Sequence, residues 1–394
     1  MGVDSLGFDI NPLAQLIART KVSALRAGPV RLRDAVNEYE HLIRAISCEM
    51  GLKWTGAGSD EGPGLCCATP RDLARAVGRP SAERELGAWF PAPVVEKLVL
   101  LIRALDSLSD PIGADFIRVC ISDILRGVSQ QEPRDLRIRR RAEPIEAAPV
   151  LTNLFAKMEL ELSKIEAGTD LLPNVGPIAR SWAEHANVRA AQAGRHEALR
   201  GRRIDAVVSS PPYATALPYV DTDRLSYLVL GLLSPQERNS LQKELIGTRE
   251  IADKQRRELE HEMTAGGGLD SLPTDTAKDL RHVLLTNSEH EVGFRRRNTP
   301  ALLYQYFRDM REGMERVAEI CKPGASVFLV LGDSKTTLGN GEVFSIRTCD
   351  HVAAVCGQVG LELEGLVPIT VTTEDLAHSK NAITENQILV LRRR

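Results

Sequence analysis

The segment Ile204-Asp205-Ala206-Val207-Val208-Ser209 runs directly into Ser210-Pro211-Pro212-Tyr213. Its β-branched side chains predict a buried strand, and the two consecutive prolines fix φ and stiffen the loop that follows. A second apolar run, from Leu225 to Leu233, predicts a helix after the loop. The order strand, rigid loop, helix is typical of an α/β protein, in which ligand sites collect beyond the carboxyl ends of parallel strands.

The loop contains residue types that suit the positioning of an amine. The Ser210 side chain and the Pro211 carbonyl can both accept hydrogen bonds from an amine and orient its lone pair. Tyr213 can stack on an extruded base, and the prolines hold these groups in place. A plain strand-to-loop turn, or a proline-rich ligand for an aromatic groove, is the alternative interpretation.

The same residues resemble the catalytic motif of the DNA amino-methyltransferases, Asp/Asn/Ser-Pro-Pro-Tyr/Phe, and the likeness extends through Val220 and over Arg224 to Gly231. The resemblance implies a Rossmann-like α/β sheet, S-adenosyl-L-methionine as methyl donor and DNA as partner, with no metal. Serine at the first motif position favours cytosine-N4 over adenine-N6 methylation in this family. The implied catalytic residues are Ser210, Pro211, Pro212 and Tyr213.

A second resemblance lies at Leu6-Gly7-Phe8-Asp9-Ile10-Asn11-Pro12-Leu13-Ala14, which is similar to the strand and acidic turn after the family's glycine-rich loop. Asp9 matches the carboxylate that accepts two hydrogen bonds from the cofactor ribose. Asn11 and Pro12 begin a predicted helix, so Asp9 as a simple helix cap is the alternative. The resemblance makes Asp9 and Asn11 predicted cofactor-binding residues.

The family's glycine-rich motif does not precede Asp9, since only eight residues stand before it. In the family this motif follows a strand that lies between the strand ending at Asp9 and the strand ending at Ser210. The predicted sheet therefore has its first strand missing, which leaves two unpaired edges. Three explanations stay open: a second chain supplies the motif, the start is truncated, or the subunit has lost cofactor binding.

Another departure concerns the segment 193–199, where family members carry Gly-Asp-Ala-Arg. Gly194 matches the glycine and is a predicted cofactor-binding residue, but Arg195 stands where the adenine-contacting aspartate belongs. His196 or Glu197 could partly substitute for that aspartate.

The segment after residue 300 resembles the last part of the family sheet. A helix over 304–321 is followed by a strand over 325–334, and Asp333 at its end is predicted to border the target-base pocket. A capping turn explains Asp333 equally well. A helix over 343–359 and strands over 361–370 and 387–393 complete the expected order.

The distance between Asp9 and Ser210 predicts an insertion. We expect residues 1–34 to begin the methyltransferase domain, 35–150 to form a helical insertion that reads the target sequence, and 151–394 to complete the domain. Trp89 and Phe90 are predicted core residues of the insertion. An inserted stretch at 234–299 is expected to form a helix and a mobile loop.

The basic run of the insertion is a candidate DNA contact because it places five arginines within eight positions. A solvated basic face is the alternative. The residues are Arg134, Arg137, Arg139, Arg140 and Arg141, and the last four are the predicted substrate-binding arginines.

Composition sets further bounds on the chain. Its 394 residues are 43% hydrophobic, which is ample for a core. Because the net charge is −3, nucleic-acid binding would depend on local patches of positive charge. Seven cysteines without Cys-x-x-Cys predict a reducing compartment and argue against a zinc site. With no signal peptide and no long apolar run, we expect a cytoplasmic protein.

The sequence thus predicts a DNA methyltransferase acting on an exocyclic base amine, with cytosine-N4 favoured and a split enzyme as one form. Two alternatives stay open. One is an RNA amino-methyltransferase, which shares the catalytic logic. The other is a catalytically inactive, DNA-binding subunit.

Overall fold

The computed structural model describes residues 3–394 except 53–67, 136–137, 171–179, 193–198, 200, 215–218, 249–250 and 371–384. The described chain is mixed α/β and divides into two compact units. Unit 1 comprises residues 1–185 and 219–241, and unit 2 comprises residues 186–218 and 242–394.

Unit 1 is mainly helical and contains one small sheet. Its strands are β1 (Ser5–Asp9) and β2 (Ser181–His185), which pair in parallel. Its helices are α1 (Pro12–Glu49), α2 (Pro70–Ala76), α3 (Glu83–Trp89), α4 (Ala92–Asp106), α5 (Pro111–Ile124), α6 (Val150–Asp170), α7 (Tyr219–Thr222), α8 (Arg224–Val229) and most of α9 (Pro235–Glu244).

Helix α1 begins where the sequence predicts, because Asn11 is its N-cap and Pro12 its first residue. Gly28, with φ of 80° and ψ of 166°, kinks the helix ahead of Pro29. The expected domain boundary at residues 34 and 35 falls inside α1, in the helical segment that follows the kink at Gly28.

The core of unit 1 is built from α1, α4, α5 and α6. Trp89 and Phe90 are buried in it, as predicted from the sequence. Tyr39 is fully buried, and its hydroxyl donates to the Leu101 carbonyl at 2.9 Å. This bond removes the cost of burying the phenol and connects α1 with α4.

Helices α1 and α5 approach each other closely at Gly113. A Cβ added at Gly113 would lie 2.3 Å from the Ala35 Cβ. We therefore expect Gly113→Ala to lower the free energy of unfolding by about 1–3 kcal/mol, as overpacking does. Gly168→Ala is the control, because its Cβ would meet only the end of the Leu25 side chain, at 3.2 Å. Urea titrations that show equal stability for both variants would contradict this packing.

Unit 2 contains a four-stranded sheet with the order β3-β4-β8-β7 and a separate β5-β6 hairpin. The strands are β3 (Ile204–Ser209), β4 (Cys321–Leu331), β5 (Ser334–Thr337), β6 (Val343–Ile346), β7 (Leu361–Thr370) and β8 (Glu385–Arg393). Its helices are α10 (Asp253–Thr264), α11 (Thr274–Ser288), α12 (Phe294–Ile320) and α13 (Thr348–Gln358).

Strand β3 pairs in parallel with β4, while β8 is antiparallel to both β4 and β7. The strand predicted over 361–370 is therefore present, and so is the one predicted over 387–393. The helix predicted from residue 343 was wrong in its first part, because Val343–Ile346 pairs with β5 and the helix begins at Thr348. Alternation between polar and apolar residues is too short there to separate strand from helix.

The stretch 234–299 differs from the expected helix and mobile loop, since it carries α9, α10, α11 and the start of α12. Charged side chains on α10 pair along the helix, as Arg256 does with Glu260 at 2.6 Å. Leu259 and Met263 of the same helix are buried in the core of unit 2. This packing, which charge content alone does not reveal, holds the helices in place.

A buried histidine lies in the interior of unit 2. The His351 Nδ1 atom is 3.0 Å from the Thr276 hydroxyl, and Nε2 is 3.1 Å from an Asp279 carboxylate oxygen. A neutral ring can accept from Thr276 and donate to Asp279. Burial lowers the pKa of His351, although Asp279 acts in the opposite direction.

We expect unit 2 to lose stability as the pH falls below about 6.5, the ordinary pKa of histidine. The unfolded chain takes up the proton there, while the lowered pKa keeps folded His351 neutral. The contribution is fully present above that pH. In denaturant titrations from pH 8 to pH 5, the free energy of unfolding should fall less for His351→Asn than for the wild type. An identical dependence of this free energy on pH in both proteins would contradict a neutral, buried His351.

Candidate functional site

The Ser-Pro-Pro-Tyr loop begins where β3 ends. Ser210 is exposed, and its Oγ donates only a long hydrogen bond, 3.4 Å, to the Val330 carbonyl of β4. Pro211 is buried, which anchors the loop next to the Ser210 hydroxyl. The strand thus presents a hydroxyl that is weakly engaged and available to a ligand.

Tyr213 is held by a residue that sequence analysis missed. The Asn386 side-chain amide donates to the Tyr213 hydroxyl at 2.8 Å. Asn386 lies near the start of β8 and is only 9% exposed. No sequence signal connects the two residues, because 173 positions separate them.

Gly247 also contacts the loop, and sequence analysis missed it as well. Its φ of 78° lies in the left-handed region, and an added Cβ would lie 3.1 Å from the Pro212 Cβ and 3.2 Å from the Tyr213 carbonyl oxygen. Only glycine combines this backbone conformation with so close an approach. The loop is therefore packed against the segment that follows α9.

Asp9 is the last residue of β1, and its side chain is exposed at the strand end. Its Oδ1 accepts the Asn11 backbone N–H at 2.8 Å. Desolvation by surrounding protein raises the pKa of Asp9, while the bond from Asn11 and the nearby His185 lower it. Asp9 is not the cap of α1, and its carboxylate keeps acceptor capacity for a diol.

The Asn11 side chain is occupied by the fold itself. Its Oδ1 accepts the backbone N–H groups of Leu13 and Ala14, and its Nδ2 donates to Asp223 at 2.7 Å. Burial raises the pKa of Asp223 despite the bond from Asn11. Asn11 thus connects the acidic turn to the residue ahead of α8, a contact that the sequence did not reveal.

The basic run makes several contacts within unit 1. Arg140 donates to the Ala88 carbonyl at 2.8 Å and lies 4.9 Å above the Trp89 ring. Arg141 donates to two backbone carbonyls, those of Ser129 and Gly127. Arg139 is exposed, whereas Arg137 lies outside the described residues.

Two other predicted site residues have separate outcomes. Asp333 accepts the Cys349 backbone N–H at 3.0 Å, which is a capping contact at the start of α13. Gly194 lies outside the described residues. Asp9 and Asn11 belong to unit 1, and Ser210, Tyr213 and Asp333 belong to unit 2.

The described part of the chain contains no group of three or more His, Cys, Asp or Glu side chains that could hold a metal ion. No helix in that part is long and apolar enough to cross a membrane.

The chain is a mixed α/β protein in which a Ser-Pro-Pro-Tyr loop follows a parallel strand. Comparison with curated proteins supports a relationship to the DNA methyltransferases. The chain is similar to Type II methyltransferase M.MvaI from Kocuria varians, with 23% identity over 343 residues. The match covers 84% of this chain but 66% of that protein. No protein-family model matches the chain, and no solved structure gives a significant match.

Proposed function

We propose that the chain is a methyltransferase, or part of one, that transfers a methyl group from S-adenosyl-L-methionine to an exocyclic amine of a DNA base. The exposed Ser210 hydroxyl beside the anchored Pro211 carries this proposal. Similarity to a Type II methyltransferase supports it. Cytosine-N4 is the favoured target and adenine-N6 the second.

The residues of the loop have separate roles in this proposal. Ser210 and the Pro211 carbonyl accept hydrogen bonds from the amine, and Tyr213 stacks on the base. S-adenosyl-L-methionine supplies the electrophilic methyl group when it is bound. The amine nitrogen forms the new bond to the methyl carbon, the carbon–sulfur bond breaks, and the nitrogen releases a proton to water.

Asp9 is the proposed contact for the cofactor ribose. Asp9 suits the cofactor ribose, because its exposed carboxylate lies at the end of β1 and accepts a hydrogen bond from the Asn11 backbone N–H. Two charge-assisted bonds from a vicinal diol suit the remaining acceptor sites. Asn11 fits a supporting role, since its side chain already binds Leu13, Ala14 and Asp223.

For DNA contacts we propose the helical region around residues 35–150, with the basic run as its phosphate-binding part. Arg139 and Arg140 are both exposed, and the Arg140 guanidinium also lies over the Trp89 ring. Arg137 and Arg141 complete the proposed set, and Asp333 remains a candidate near the base. Binding should weaken steeply with salt, as expected for phosphate contacts.

The reaction is tested by incubating tritiated S-adenosyl-L-methionine with unmethylated duplex DNA amplified from the native genome, and in parallel with RNA. We expect label in the duplex DNA. Label only in RNA would replace the proposal with an RNA amino-methyltransferase. Specific DNA binding without label in either polymer would indicate the inactive subunit.

A second chain that supplies the glycine-rich motif is also part of the proposal. Within the described residues, β1 pairs with β2 alone and β3 with β4 alone. The sequence predicts that β3 is a buried strand, but none of its residues is buried, and Val208, its fifth residue, is 78% exposed. At each of these edges an added strand would supply backbone partners, and at β3 it would also cover the exposed Val208.

The proposed second chain is tested by hydrogen exchange. A tagged form of this chain is purified from its native source together with any polypeptide that accompanies it. The amides of Ser5–Asp9 and Ile204–Ser209 should exchange more slowly in the complex than in the isolated chain. Equal exchange at both strands would contradict strand addition.

The cytoplasm is the proposed location. The described cysteines include five free thiols, which suits a reducing compartment.

A further inference from the structure

Asn386 lies at the end of the sheet where the Ser-Pro-Pro-Tyr loop begins. Gln387, the next residue, pairs with Leu331 at the carboxyl end of β4, and Ser209 of β3 pairs with Leu329. Asn386 therefore lies just beyond the end of β4, on the same side as Ser210. Its hydrogen bond to Tyr213 joins this end of β8 to the loop.

The two polar atoms of the Asn386 amide differ in their environment. Nδ2 donates to the Tyr213 hydroxyl, whereas Oδ1 is buried and has no hydrogen-bond partner within the described part of the chain. A buried amide oxygen without a partner is costly, so a donor that reached it would stabilise the site.

We propose that Asn386 is a positioning residue of the target-base pocket. It fixes the Tyr213 ring through the phenol hydroxyl and offers Oδ1 to an N–H group of the extruded base. This inference rests on the proposed function, because it assumes that Tyr213 stacks on a base.

Geometry explains why a second contact on Tyr213 matters. Gly247 packs against the Pro212 side chain and the Tyr213 carbonyl, so it constrains the backbone of the loop. The ring still turns about its side-chain torsions, and a hydrogen bond at its far end restricts that rotation. A ring fixed in advance stacks on a base without a further entropic cost.

The contact itself is tested without any methyl transfer. With 3-fluorotyrosine at position 213, the fluorine resonance should shift or broaden when Asn386→Leu removes the donor. Ile388→Val, two positions along β8, is the matched control and should leave the resonance in place. A resonance that is unchanged by Asn386→Leu would overturn the proposal even if the enzyme is active.

The role is tested by methyl transfer to unmethylated duplex DNA, using the complete native assembly. Asn386→Leu should lower kcat/KM by about 10- to 100-fold, the scale of a lost buried hydrogen-bonding group. Asn386→Asp keeps an acceptor and should retain more activity than Asn386→Leu. Equal activity of the two variants would overturn the proposal that Asn386 Oδ1 accepts a hydrogen bond from the base.

A double variant separates positioning from a merely structural effect. If Asn386 acts partly through the phenol hydroxyl, adding Tyr213→Phe to Asn386→Leu should cost less than Tyr213→Phe costs alone. Fully additive losses would overturn the proposal. A wild type that labels no nucleic acid counts against the proposed function instead, and the fluorine measurement still decides whether Asn386 fixes Tyr213.

Discussion

Replacing Ser210 with alanine is expected to lower kcat for methyl transfer by roughly 100-fold, as does the loss of one group that orients or stabilises the reacting centre. The variant removes the proposed side-chain acceptor for the amine and leaves only the Pro211 carbonyl. Folding should be nearly unaffected, because Ser210 is exposed and makes one hydrogen bond of 3.4 Å. Initial rates with tritiated methyl donor measure the effect.

Ser209→Ala is the matched control for this variant, since it removes the neighbouring hydroxyl from the end of β3. It should keep the rate within about threefold, as expected for a side chain outside the reacting centre. A Ser210→Ala enzyme with wild-type kcat would show that this hydroxyl does not hold the amine. A shared loss in both variants would indicate a folding defect, which thermal unfolding would reveal.

Replacing Asp9 with alanine should weaken binding of S-adenosyl-L-methionine by about 10- to 100-fold, the scale of losing charge-assisted hydrogen bonds. The exposed carboxylate is the proposed partner of the ribose diol, and its own bond to Asn11 is local. Titration calorimetry on the complete native assembly measures this affinity.

Asp9→Asn is the conservative comparison for that measurement. The amide keeps one acceptor oxygen but loses the charge, so its affinity should fall between those of the wild type and Asp9→Ala. An Asp9→Ala protein that binds the cofactor as tightly as the wild type would remove Asp9 from the site.

Local sequence signals predicted the elements that depend on neighbouring residues. Asn11 and Pro12 mark the start of α1, and the structure confirms both positions. The strand after Gly360 was also predicted, because apolar residues over Leu361–Thr370 follow a helix end. Burial of Trp89 follows from the apolar spacing of the surrounding helices.

Contacts between distant positions could not be predicted in this way. Asn386 binds Tyr213 across 173 positions, and Asn11 binds Asp223 across 212. Each residue taken alone is an ordinary polar side chain, and only folding brings the partners together. Gly247 is similar, because its need for positive φ depends on the loop packed against it.

The most direct measurement is mass spectrometry of nucleosides from unmethylated duplex DNA after incubation with the native assembly and S-adenosyl-L-methionine. We predict N4-methylcytosine, or N6-methyladenine as the second outcome, since Ser210 and the Pro211 carbonyl are the proposed acceptors for an exocyclic amine. Methylation of a base carbon, with both exocyclic amines unmodified, would contradict it.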